Sequence, residues 1–183
     1  MFKLVAFFVS TAFFIYLSRA SLRAPRSHGF YRFFFFESVL VLVLLNADRW
    51  FQDPFSARQI VSWLLLAVSI VLVVHGTYLL RIVGRPDNKR IDEVPLIGIE
   101  KTTSLVTVGA YKYIRHPMYG SGFYGTWGVF FKDPSWLGFI IALAATTFLV
   151  LTAKIEEAEC LRYFGPSYQA YMKRTKMFVP FLL

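Results

Sequence analysis

Apolar runs of membrane-crossing length alternate along the chain with short, mostly basic segments. A hydrocarbon core about 30 Å thick needs about 20 apolar helical residues, with roughly 17–25 tolerated. Runs at 2–18, 31–47, 59–80, 117–131 and 136–153 meet or approach that length. The third, IVSWLLLAVSIVLVVHGTYLL, is unambiguous. The fourth and fifth are short and joined by Lys132-Asp133-Pro134-Ser135, so they read as two spans or as one helical hairpin entering obliquely. None of the runs alternates with period two, which excludes the strands of a membrane barrel. The pattern predicts an all-α integral membrane protein of about five transmembrane helices. It divides into three N-terminal spans over 1–80 and a C-terminal core over 81–183.

Composition agrees with that reading. Of 183 residues 56% are hydrophobic and 19% aromatic, against about 45–50% apolar in a soluble domain. The N-terminal run resembles a signal peptide, but Tyr16-Leu17-Ser18-Arg19 is a poor small-residue cleavage site and further spans follow. It is therefore read as a retained first span. The net charge of +9 would raise nucleic acid as a partner in a soluble protein. Here the basic residues lie between apolar runs, which points to anionic lipid headgroups and not to nucleic acid. Segments 19–32, 81–116 and 154–183 hold 4, 7 and 5 Lys or Arg, while only Lys3, Arg49, Arg58 and Lys132 fall in the others. Basic residues stay on the cytoplasmic side, so the N-terminus is expected outside and the C-terminus in the cytoplasm. A bacterial inner membrane and an endoplasmic reticulum both suit such a chain. The single cysteine, Cys160, excludes an internal disulfide and a multi-cysteine metal site, and no metal is expected.

Two ionisable residues, Glu37 and His75, interrupt apolar runs. Such residues are functional candidates by default, but both lie near the end of a run. Contacts to headgroups or hydrogen bonds between helices are the favoured reading for them.

Polar residues concentrate in two places. Residues 81–119 form a long inner loop whose apolar residues need burial, and long loops of this kind are commonly functional. It ends in Arg115-His116-Pro117, with Pro117 suited to the first turn of a helix. The helix start at Met118 and Tyr119 favours a carboxylate or phosphate; Arg-His at this level also serves as a membrane anchor. The second place is the tail. Glu156, Glu157 and Glu159 sit within one turn beside Lys154, Gly165-Pro166 stops the helix, and Tyr168, Tyr171, Met172 and Phe178 suit an interfacial segment. The acids form local pairs with Lys and Arg, or one of them receives a cationic ligand group.

SLVTVGAYKYIRHPMY, followed some forty residues later by EEAECLRYFGPSYQAY, resembles the isoprenylcysteine carboxyl methyltransferase and phospholipid methyltransferase superfamily of membrane enzymes. The resemblance covers about residues 80–181, and the first two spans match only in being apolar. It implies methyl transfer to an O, N or S atom of a lipophilic acceptor entering from the bilayer. It also implies S-adenosylmethionine as cofactor, in a pocket formed by the cytoplasmic loop and a C-terminal interfacial helix. By position it assigns cofactor contacts to Thr103, Ser104, Leu105, Val106, Tyr111, His116, Pro117, Met118, Tyr119 and Glu156. Arg115 and Glu157 are the candidates for orienting the acceptor, with Glu157 a possible base for an amine.

The chain departs from the pattern twice. Relatives commonly carry His where this chain has Thr103, a change that backbone contacts would survive. Prenylcysteine enzymes place an arginine for the substrate carboxylate four residues before the first glutamate, and here Thr152 stands there. Lys154 lies on a different helix face, so a prenylcysteine acceptor is weakly supported. Two rival classes are a non-catalytic membrane protein that binds anionic lipid or a partner, and a relative of the sterol reductases with a nicotinamide cofactor. The second is disfavoured by the absence of a basic cluster suited to a 2′-phosphate.

Overall fold

The computed structural model describes residues 1–87, 89–90 and 95–180. The parts of the expected inner loop and tail at 88, 91–94 and 181–183 lie outside the described residues. The described chain forms α1 (Phe2–Leu22), α2 (His28–Asn46), α3 (Ala57–Ile82), α4 (Pro117–Phe130), α5 (Trp136–Phe164) and α6 (Pro166–Met172). Short 3-10 turns occupy Ala47–Arg49, Gly98–Glu100 and Gly109–Lys112.

Four helices, α1, α2, α3 and α5, are long and apolar enough to cross a membrane. The protein is a multi-pass integral membrane protein. The fourth run is shorter. At 14 residues and 1.5 Å per residue, α4 measures about 21 Å, less than the hydrocarbon core. It starts beside the last third of α3, where a Cβ on Gly76 would meet Met118 and Pro117.

Without a hydrophobic force between helices in lipid, close approach and hydrogen bonds hold the bundle. α4 packs mainly on α3, and α2 on α5. Glycines in α4 allow it: a Cβ on Gly122 would stand 2.7 Å from the ring of Phe35 on α2, and one on Gly128 2.9 Å from Leu66 on α3. Ser62 donates to the Gly128 carbonyl at 2.7 Å, Ser69 to Ser121 at 2.8 Å and Asn46 to Val129 at 2.8 Å. At the end of the bundle away from the inner loop, Lys132 is fully buried. Its Nζ donates to Gln59 at 3.0 Å and lies 3.1 Å from the centroid of the Trp63 ring.

Ser135 caps α5 by accepting from the Gly138 N–H, and the helix runs to Phe164, well past 153. The three acids of the tail are therefore on α5 itself. Gly165, at φ +57°, ends it, and Pro166 opens α6. The tail then folds back on the inner loop, with Ile114 bridged to Lys176. Tyr168, Tyr171 and Phe178 are buried, while Lys173 and Arg174 are exposed. The aromatic side of the tail thus meets protein and not lipid.

Candidate active site

The ends of α1 to α5 beside the 81–116 loop enclose a cavity of about 610 Å³. Its wall is mostly apolar, with Phe14 and Leu17 from α1, Phe35 and Phe36 from α2, Val73 and Leu80 from α3, and Met118 from α4. A side chamber of about 60 Å³ adjoins it under the tail. Thr102, Tyr111, Arg115, His116 and Glu156 line both spaces.

The expected cofactor residues divide between these spaces. Ser104, Leu105 and Val106 line the chamber alone, and Met118 and Tyr119 the cavity alone. Tyr111 is buried and fixed from outside, because the Tyr171 hydroxyl donates to its carbonyl at 2.6 Å. Burial first, and then the charge of Glu156, pushes the Tyr111 phenol well above its ordinary value, so it stays neutral. Tyr119 stands close to both Glu156 and Arg32. Oε2 of Glu156 is buried and has no hydrogen-bond partner among the described residues. An orphaned carboxylate oxygen in a cavity wall is costly unless a ligand group meets it.

Thr103 and Pro117 stand apart from the rest. The exposed Thr103 side chain donates to the Arg85 carbonyl at 2.9 Å and lines neither space; Thr102 faces them instead. Pro117 is buried at the first position of α4 and also lines neither. Its part is to start the helix that presents Met118 and Tyr119.

Arg115 and Glu157, the expected acceptor-orienting pair, are committed to each other. Arg115 Nε donates to Glu157 Oε1 at 2.6 Å, and its guanidinium also donates to the carbonyls of Met172 and Thr175 in the tail. His116 Nε2 lies 3.3 Å from the same carboxylate oxygen. Glu157 lines neither space, whereas Arg115 lines both, and the pair ties the tail to the start of α4. Glu37 accepts from Thr11 of α1 at 2.9 Å, and His75 accepts from the Ala110 N–H at 3.4 Å. Both lie outside the cavity wall, in the helix-contact roles favoured for them. Thr152 is fully buried and donates to the Phe148 carbonyl of its own helix.

Sequence reasoning did not reach a second polar cluster on the wall. It comprises His28 and Arg32 of α2, Glu100 of the inner loop and Glu159 of α5. Arg32 enters only as one of the basic residues of segment 19–32, His28 is not singled out, and nothing in the spacing pairs them with acids 68 to 131 positions away.

The sequence pattern of a family described as phospholipid methyltransferase matches residues 57–167. The chain belongs to the phospholipid methyltransferase family. Among its relatives is the rat protein-S-isoprenylcysteine O-methyltransferase, 29% identical over 67% of this chain and 43% of that one. The methanethiol S-methyltransferase of Crocosphaera subtropica is 27% identical over 68% of this chain and 48% of that one. The nickel-cobalt-cadmium resistance protein NccN of Alcaligenes xylosoxydans is 28% identical over 78% and 60%. The chain thus spans about half the length of the curated relatives it matches. No solved structure matches it. The family region takes in α3, α4 and α5 with the loop and turns between them. α1 and α2 lie outside it, yet α2 supplies His28, Arg32, Phe35 and Phe36 to this family member's cavity.

Proposed function

We propose that the protein is an S-adenosylmethionine-dependent methyltransferase acting on a lipophilic acceptor drawn from the bilayer. The observation that carries this reading is Glu156, whose buried, unpartnered oxygen stands in the wall common to the polar chamber and the apolar cavity. A carboxylate so placed suits the amine or ribose hydroxyls of the cofactor, and the inner loop suits its remaining polar groups. When bound, the cofactor supplies an electrophilic methyl carbon on a sulfonium.

The chain's own contribution is to orient and to exclude water. Ser104, Leu105 and Val106 line the chamber, and Tyr111 and Tyr119 offer aromatic rings that suit a cation. His116 faces both spaces at the start of α4. The strap formed by α6 and Thr175 closes the chamber, held by Arg115 and Tyr171. On the other side, the wall residues Leu17, Phe36 and Val73 are exposed hydrophobics. This supports lateral entry of the acceptor, while the cofactor enters past the inner loop. Charge asymmetry favours a cytoplasmic loop and tail with the N-terminus outside. Membrane lipids and the acceptor are the partners in this reading.

Calorimetry of the purified protein with S-adenosylmethionine and with NADPH tests it. Heat is expected with the first and none with the second; no heat with S-adenosylmethionine sinks the proposal. A transfer assay with labelled cofactor against a lipid extract then identifies the methylated product.

A further inference from the structure

The cavity wall holds a polar pair that the proposed cofactor contacts leave unused. His28, in the first turn of α2, is fully buried. Its Nδ1 lies 2.5 Å from Oε2 of Glu159 on α5, and its backbone N–H donates to Oε1 of the same carboxylate at 3.1 Å. An ionised carboxylate only accepts, so this bond places a proton on Nδ1; in the neutral ring Nε2 is then the acceptor. Nε2 is buried and makes no hydrogen bond among the described residues, and His28 lines the 610 Å³ cavity. Glu100 Oε2 is 3.4 Å from it without making a hydrogen bond; that oxygen accepts from the Ile97 N–H, and the other is paired with Arg32. The charged groups facing the ring are Glu159 and Glu156 from α5, Glu100 from the inner loop and Arg32 from α2.

The cations on the wall are all engaged. Arg32 pairs with Glu100, and Arg115 with Glu157 and the tail carbonyls. Arg90 donates to the Thr102 carbonyl and stacks on the Tyr163 ring at 3.5 Å. An anionic acceptor therefore meets no uncommitted cation on the described wall. A neutral acceptor with an ionisable hydrogen meets a histidine held ready by a carboxylate.

We propose that His28 is a further catalytic residue, the base that takes the proton from a neutral thiol or amine as it is methylated. This rests on the methyltransferase reading above. As the acceptor sulfur or nitrogen bonds to the methyl carbon, the donor's carbon–sulfur bond breaks and its electron pair stays on the donor sulfur. The acceptor's proton passes to Nε2, and Glu159 holds the resulting imidazolium until water removes the proton. A dyad of this kind contributes typically about 10²–10⁴-fold.

The test uses the full chain in lipid nanodiscs with three acceptors of one alkyl length: a thiol, an amine and a carboxylate. Wild type is expected to methylate the thiol or the amine ahead of the carboxylate. His28→Gln is expected to lower kcat for that substrate about 100-fold or more while calorimetry finds S-adenosylmethionine affinity unchanged, and imidazole is expected to restore turnover in His28→Ala. Independently of turnover, diethyl pyrocarbonate should modify His28, as mapped by mass spectrometry, and the long-chain thiol or amine should protect it. Four results each overturn the assignment: kcat within threefold of wild type in H28Q, no imidazole rescue in a folded H28A, His28 unmodified or unprotected, or preference for the carboxylate. If the variants fail to bind cofactor, the wild-type acceptor preference and the protection experiment still decide. Absence of cofactor binding by wild type is a different result, since it removes the methyltransferase reading itself.

Discussion

Glu156, Glu157 and Glu159 are neighbours in sequence but have different partners. Each residue of a helix turns about 100° from the last, so Glu157 points away to Arg115, while Glu156 and Glu159, three residues apart, both face the cavity, the second bonded to His28. Charge at 156 is expected to matter to the cofactor alone. Glu156→Gln keeps the shape but loses charge-assisted hydrogen bonds worth about 1.5–3 kcal/mol each, so calorimetry should find S-adenosylmethionine weakened at least about tenfold with thermal stability nearly unchanged. Arg115→Ala should do the reverse first. It leaves the buried carboxylate of Glu157 with His116 alone, at a cost of up to about 3 kcal/mol, and frees two tail carbonyls. A lowered melting temperature in detergent and faster tryptic cleavage at Lys173 and Arg174 are the expected readouts. Lysine should rescue little, because it lacks the planar fork that serves several acceptors at once.

At the level of elements, two contacts place the site: α4 against α3, and the tail against the inner loop. α4 comes close because Gly128 has no side chain. Gly128→Val puts branched atoms where Leu66 already stands and should force α3 and α4 apart, with a loss of about 1–3 kcal/mol seen as a lower melting temperature. The tail is held by phenols. Tyr111, Tyr168 and Tyr171 are each pushed well above the ordinary tyrosine value, burial being the largest cause. A raised native value means stability that is intact below the unfolded value of about 10 and lost as pH climbs past it, because only the unfolded chain then releases its protons. Melting temperature should therefore fall steeply above about pH 10, and less steeply in Tyr171→Phe. That variant also loses the donor to the Tyr111 carbonyl, at a cost of about 1 kcal/mol at neutral pH.

For the whole molecule, the proposed topology carries its own prediction. With Cys160 replaced by serine, a cysteine at the exposed Gln52 should react with a membrane-impermeant maleimide in intact cells. One at the exposed Lys173 should react only after permeabilisation.

Membrane insertion and most helix ends were legible from the chain alone. Hydrocarbon length is a one-dimensional requirement, and Pro117, Ser135 and Gly165-Pro166 act within a few residues of themselves. The loop motif and Glu156 were legible through family resemblance. The short α4, the commitment of Arg115 to Glu157 and the His28–Glu159 pair were not. These depend on which helices are neighbours and how each is rotated about its axis, and a hydropathy pattern that is apolar all round leaves rotation open. Folding joins residues 28 and 159 across 131 positions, and that closure turns a basic segment and an acidic turn into two sides of one cavity.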